Sequence, residues 1–371
     1  EYTGGAELTS EALIESSPLS VFKLKSKDVD VKMLESGVGK FWIFGNFSQM
    51  DLQLIPTIVA NMNYSILEYD YKYCAYRSPE KHKAATGNDC DCHNDTHGKI
   101  ISAFYYGSKS LWWMSEKQQG LYHRMFPFLK ERSNTVLSSV FSERFFASVK
   151  VLKEKYKDTE RSGWIVLGSD SWIKGADDAI AWCEQNKKKY EVVWGLSHAQ
   201  LLEKLAQAEG FVYLPKGNDT CPRMVIEAKM LGCKLELNDF VQHKDEEWFT
   251  SEDEFDTEAY LYAARERFWN AIKYDMTYSP SISGYTTVYN CISQKYPFTS
   301  SIDSMLGFCD EVGKIWYSHS PFSWSIRFFN WSLWAFFIIT RKGSEYLDAI
   351  TNSIAYFSLC DLNARKTYSK N

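Results

Sequence analysis

The sequence has no run of 18 apolar residues. The nearest approach, residues 328–339, is about 12 long and carries Asn330 and Ser332, so no membrane span is expected. It also has no excess of positive charge. Its 42 basic and 47 acidic residues leave a net charge of -5, which provides no cationic field for a phosphate backbone and excludes sequence-independent nucleic-acid binding. Any anion must be bound locally. There is no repeat and no low-complexity tract, and 9 Pro with 20 Gly fit neither a fibrous nor a disordered chain. Nine cysteines are spread along the chain with no signal-peptide pattern ahead of them, so reduced thiols and a cytoplasmic location are expected. The chain opens on Glu1 and not Met, and the natural N-terminus is expected further upstream.

What the chain does have is length and apolar content. With 371 residues and 45% hydrophobic composition it exceeds what one core usually organises, so two or three domains are expected. Aromatics reach 16%, which suits large aromatic cores and also flat, sugar-binding surfaces. Trp112 and Trp113 flank no charged motif and read as core.

Short apolar runs alternate with amphipathic stretches, the pattern of βαβ units around parallel sheets. In the first 140 residues, 40–47, 65–69 and 111–114 read as strands and 51–62 as a helix. Ser115 and Gln118 form the pattern of a capping box. A second set follows. Strands are expected at 164–167, 190–194 and 211–214, and helices at 176–184, from the Ser197–Gln200 capping box to about 209, and at 222–231. The fold class is therefore α/β, with two Rossmann-like lobes, 1–140 and 141–272, facing a cleft, and the first strand of the first lobe missing. Ligands in such folds sit at the carboxyl ends of strands. Eight of the fourteen residues 245–258 are acidic and form an exposed loop. A helix bearing Leu261, Ala264, Phe268 and Ile272 at helical spacing then closes across the lobes.

Three constellations carry candidate chemistry. Gly4 and Gly5 precede a helix whose free amides suit a diphosphate, although two glycines also make an ordinary turn. Lys174 lies on the loop 168–175 directly after a strand, with Ser169 beside it. There it can neutralise a departing phosphate, or equally be a solvated surface lysine. The third, residues 215–228, follows a buried-type strand. Pro222 is expected at the first helical position, Thr220 and Cys221 near the cap, and Arg223 inside the first turn. Asp219 precedes the helix and Glu227 lies about a turn and a half inside it. These two carboxylates can reach opposite ends of one elongated ligand. They also fit a capping acid and an acid paired to a lysine.

Together these motifs resemble the family 4 type retaining glycosyltransferases of GT-B fold, over about residues 1–272. The matching elements are the Gly4–Glu7 loop, Lys174-Gly175, and Asp219 with Glu227 eight residues later. The resemblance implies transfer of a sugar from a nucleotide-sugar donor to a hydroxyl acceptor, with no cofactor and no catalytic metal. Gly5 would meet the diphosphate, Lys174 the phosphates, Glu227 the ribose hydroxyls and Asp219 the transferred sugar. Two departures stand out: Asp219 replaces the usual Glu, and Ser169 stands where an arginine commonly assists the lysine. The alternative is a nucleotide-sugar-binding protein of the same fold with weakened catalysis.

Residues 283–312 resemble the opening of family 2 glycosyltransferases of GT-A fold, without the following strand or any Asp-X-Asp motif, so 279–371 is expected to be a non-catalytic fragment with an aromatic tail. Finally, Cys90, Cys92, His93 and His97, with Cys74 and His82 upstream, could bind zinc, although one residue between Cys90 and Cys92 is tighter than the usual two to four. The same segment also reads as a polar loop near the acceptor.

Overall fold

The structure, a computed structural model, describes residues 4–37 and 39–277. The expected GT-A-like fragment at 279–371 lies outside the described residues.

The chain begins with helices α1 (Gly5–Glu15) and α2 (Val31–Ser36), followed by β1 (Phe41–Phe44), α3 (Ile55–Asn61), β2 (Asn63–Glu68), α4 (Pro79–Thr86), α5 (Thr96–Gly107), β3 (Ser110–Trp113), α6 (Glu116–Met125) and β4 (Ser133–Val136). All neighbouring strands pair in parallel, in the order β1-β2-β3-β4. Parallel strands covered on both faces favour continuous apolar runs over alternation. The Ser-Leu-Trp-Trp of β3, buried at every position, shows this.

The second half runs α7 (Glu143–Lys155), β5 (Trp164–Leu167), α8 (Ala176–Gln185), β6 (Tyr190–Val193), α9 (His198–Gln207), β7 (Gly210–Tyr213), α10 (Arg223–Met230), β8 (Lys234–Leu237), α11 (Glu247–Thr250) and α12 (Glu254–Thr277). Its sheet is also parallel, with order β6-β5-β7-β8. Both sheets were legible as alternating elements; α2, α4, α5, α7, β4 and β8 were not singled out, and α11, with Trp248 and Phe249 buried, falls in the stretch expected to be an exposed loop. The Ser197–Gln200 box closes in both directions. The Ser115–Gln118 box closes in one: the Gln118 amide NH bonds the Ser115 hydroxyl, but its side-chain oxygen accepts from Met114 N at 2.7 Å and its amide nitrogen donates to Glu68 O and Asp70 O.

The carboxyl ends of the two sheets face each other and are bonded across the junction. Thr220 Oγ1, after β7, donates to Tyr69 O, after β2, at 2.8 Å. Ser115 Oγ, after β3, donates to Gln242 Oε1 at 3.1 Å, and Ser139 Oγ, after β4, donates to Cys221 O at 2.8 Å. One apolar cluster continues from α1 and Trp112 through α7 into the second sheet and α12. Leu261, Ala264, Phe268 and Ile272 of α12 are buried. Phe268 packs 4.8 Å from Trp112, and Trp269 Nε1 donates to Leu13 O in α1. Trp112 and Trp113 are core residues. Among the described residues no helix is long and apolar enough to cross a membrane.

Candidate functional site

In the second sheet the chain leaves β5 toward β6 on one side and returns to β7 on the other. The gap between the carboxyl ends of β5 and β7 is therefore the topological switch point, where open α/β sheets bind ligands. The loop after β5 ends at Gly175, whose φ of 65° is left-handed; a Cβ there would stand 1.8 Å from Leu214 O, so glycine alone lets this loop lie on the one after β7. Lys216 N donates to Ile173 O at 2.8 Å and clamps the two loops together.

This clamp brings two of the sequence candidates into contact. Lys174 Nζ lies 2.7 Å from Asp219 Oδ2, and Tyr213 OH, from the end of β7, donates to the same oxygen at 2.6 Å. Asp219 is fixed through its backbone as well, its N–H bonded to Phe240 O and its carbonyl to Gln242 N. Burial pushes the Asp219 carboxyl upward, but the Lys174 charge and the hydrogen bonds from Lys174 and Tyr213 outweigh it and leave the group below the usual carboxylate range. Facing it is His243, fully buried, stacked on Trp248 and with neither ring nitrogen hydrogen-bonded. Desolvation drives its pKa down to about 3 against the pull of Asp219, so it is a neutral ring at neutral pH. Ser169 accepts from Ser171 N at 3.1 Å and shapes its own turn.

Pro222 is not the first helical residue. It sits at the N-cap of α10 with ψ of 114°, and the helix starts at Arg223. The run Asp219–Pro222 is held by the other sheet: Thr220 by Tyr69, and Cys221 by Ser139, whose N–H meets the Cys221 sulfur at 3.3 Å. Inside α10, Glu227 is almost fully buried and meets His198 Nε2 at 2.9 Å, with the Arg223 Nε 3.5 Å away. A lysine partner was the alternative; the partners are a histidine at the start of α9 and an arginine one turn back. The Arg223 guanidinium also donates to Val140 O, reaches Thr9 Oγ1 and lies 3.9 Å from the Phe141 ring centroid. It is a buried strut between the sheets, not a group presented to an anion. Gly5 is exposed, and a Cβ on it would lie 3.5 Å from Arg223 Cδ, so the start of α1, with Gly4 at its N-cap, stands directly over the start of α10. One continuous row results: Lys174, Asp219, the α10 start, Glu227, with Gly5 beside it.

The opposing side, at the end of β2, holds a buried polar group that sequence reasoning missed. Glu68 Oε1 accepts from Lys72 Nζ at 2.9 Å and from Asp70 N at 2.7 Å, while Glu68 Oε2 accepts from Tyr105 OH. Asp70 binds Lys72 and Arg77. Desolvation lifts the Glu68 carboxyl to about 7 despite Lys72. The four-residue spacing of Glu68 and Lys72 was a visible signal, but it falls just past a strand, where such spacing has no preferred meaning. Tyr213 and His198 were hidden inside elements read only as strand and capping box.

The cysteine-rich segment is rearranged relative to expectation. Cys90 and Cys92 gather with Cys74 and His82, whereas His97 Nε2 donates to Lys72 O at 2.8 Å and the His93 ring packs edge-on to Phe126.

No family model and no curated protein matches the sequence. Among solved structures, the chain is similar to a UDP-forming alpha,alpha-trehalose-phosphate synthase from Burkholderia xenovorans, at 7% identity and a TM-score of 0.43 over 73% of this chain and 85% of that one. It is also similar to an apo structure of OtsA, at 10% identity and a TM-score of 0.36 over 92% of this chain and 77% of that one. Likenesses of this extent assign neither a substrate nor a reaction.

Proposed function

We propose that this chain transfers a glycosyl group from a nucleotide-sugar donor to a hydroxyl acceptor, with retention and without a metal at the reacting centre. The observation that carries this reading is the Lys174–Asp219 contact at the switch point, continued along α10 to Glu227. A donor diphosphate entering there would draw Lys174 from Asp219, and the ammonium would stabilise charge building on the departing group. The NH groups opening α10 and the Gly4-Gly5 start of α1 would face the same phosphates. Asp219, released from Lys174 but still bonded to Tyr213, would orient the transferred sugar. Glu227, anchored by His198, would accept from the ribose hydroxyls.

The test is release of free nucleoside diphosphate from a panel of labelled donors. Lys174→Ala should lower it about 10²–10³-fold. No release from any donor, or release indifferent to that substitution, overturns the reading.

A second reading, donor binding without turnover, is favoured by Ser169, which bonds its own loop and supplies no second cation, and by Glu227, whose oxygen is already engaged by His198 and Arg223. Thermal stabilisation by a nucleotide-sugar without release of diphosphate selects it.

A further inference from the structure

We propose that Cys74, His82, Cys90 and Cys92 bind one structural zinc ion that staples the segment between β2 and α5. These four residues each offer one ligand atom, and all four atoms lie within 4.8 Å of one another. The Cys92 sulfur is 3.2 Å from His82 Nδ1 and 4.0 Å from the Cys74 sulfur; the Cys74 sulfur is 3.9 Å from His82 Nδ1. A tetrahedral zinc with Zn–S of about 2.3 Å and Zn–N of about 2.0 Å requires separations of about 3.8 Å between sulfurs and about 3.5 Å between sulfur and nitrogen. The two observed sulfur–nitrogen spacings bracket the required value, and the sulfur–sulfur spacing of 4.0 Å lies just above its own. The latter is also roughly twice the ~2.05 Å of a disulfide bond.

The local fold builds this set from distant positions. Cys74 lies in the turn after β2, its N–H bonded to Tyr71 O and its carbonyl to Arg77 N. Ser78 caps α4 by accepting from Lys81 N, and Pro79 occupies its first turn. His82 therefore sits one turn inside α4, four residues past the Ser78 cap, and is only 9% exposed. Gly87, at φ 77°, ends α4 in the left-handed conformation and sends the chain back toward Cys90. Gly98 in α5 allows the return: a Cβ there would stand 2.1 Å from Cys92 O. Cys74 and Cys92 are buried and Cys90 half-buried, and four protein donors fill a tetrahedral shell, the arrangement of a structural site. Three thiolates and one imidazole select a soft, tetrahedral ion. On binding, the ion displaces the three thiol protons to solvent and takes the neutral imidazole through Nδ1.

The stapled segment has α4 as its one helix and no strand, and apart from the four ligands it is held by side chains: Tyr71 and Tyr73 are buried and Lys72 pairs with Glu68 and Asp70. It presents Glu80 to the donor-side loop, where Asn218 Nδ2 donates to Glu80 Oε1 at 2.7 Å. The zinc would thus fix one wall of the switch-point region. This inference stands apart from the glycosyl-transfer reading, because its readout is the metal.

Full-length protein purified under reducing conditions should carry about one zinc per chain by elemental analysis. Cys74→Ser and His82→Ala should each bring that content close to zero, while His93→Ala, His97→Ala and Cys183→Ser retain it. In case the ligand variants fail to fold, wild-type protein exchanged with cobalt should show the visible bands of a tetrahedral thiolate site, and X-ray absorption of the zinc form should give three sulfurs and one nitrogen. Absence of zinc after reconstitution with zinc alone, an oxygen-rich octahedral spectrum, or metal loss on His93 or His97 replacement in place of Cys74 or His82 would each overturn the proposal.

Discussion

Asn218 Nδ2 donates to Glu80 Oε1 at 2.7 Å, and Ser78 Oγ donates to the other oxygen of the same carboxylate at 2.8 Å. Asn218 immediately precedes Asp219, so the first turn of α4 directly braces the residue beside the Lys174 pair. Hydrogen bonds to a charged acceptor typically contribute about 1.5–3 kcal/mol, less where solvent competes. A double-mutant cycle of Glu80→Gln and Asn218→Ala, read by urea denaturation, should return a coupling of about 1 kcal/mol. A coupling indistinguishable from zero would mean that the loops touch without supporting each other.

Asp219→Asn keeps the side-chain shape and an oxygen for Tyr213 but removes the charge that Lys174 meets. Diphosphate release should fall about 10²-fold in the turnover rate, with little change in donor affinity. Tyr213→Phe, which removes one hydrogen bond to an intact carboxylate, should fall less. Because the folded Asp219 carboxyl titrates below its ordinary value of 3.8, the stability from its pairing is present above that value and lost as pH falls through the lowered one. An acid limb in the rate profile above pH 4 that vanishes in Asp219→Asn would contradict this.

Much of this site was readable because its signals are local. A Gly after a Lys, a Pro before an apolar helix and a Ser three residues before a Gln each constrain a turn by their own geometry, so Lys174, α10 and the α9 cap fell close to where they were expected. The acids' partners were not readable. His198 lies 29 residues from Glu227 and Tyr213 belongs to a strand, so nothing in their own neighbourhoods announces the contact. The metal cluster was readable in part: Cys74, His82, Cys90 and Cys92 of the six candidates come together, whereas His93, ahead of α5, packs on Phe126 and His97, inside α5, bonds Lys72 O. Pro222 was displaced by one position: Thr220 and Cys221 are held by Tyr69 and Ser139 across the junction, an influence from the other sheet.

Glu246 provides the pH prediction. Its carboxylate accepts from Glu116 N at the start of α6 and from Trp248 Nε1, yet it is buried, and desolvation pushes it up to about 7. A raised carboxyl keeps its proton in the folded state between the ordinary value of 4.5 and about 7. Its contribution is therefore complete below 4.5 and lost as pH rises through 7, at no more than about 1.4 kcal/mol per pH unit. Glu246→Gln should remove that slope, so the variant gains stability relative to the parent from pH 4.5 to 7. Parallel pH profiles in chemical denaturation would show the group titrating normally.

Arg223 tests whether the row of candidate residues is also the seam of the molecule. Its guanidinium joins Glu227 in α10, Val140 O after β4 and Thr9 in α1, and lies on the Phe141 ring. Removing one member of a buried ion pair leaves the other charge without compensation, at about 3–5 kcal/mol. Arg223→Met keeps most of the apolar stem against Phe141 and isolates the charge effect. It should lower stability by about 3 kcal/mol, and His198→Ala, which removes a partner that is over a third exposed, should cost less. If Arg223→Met, Glu227→Gln and their combination are each nearly neutral, the guanidinium spans the junction without holding it. A loss in Arg223→Met that is largely recovered by adding Glu227→Gln would identify the stranded carboxylate as the source of the destabilisation.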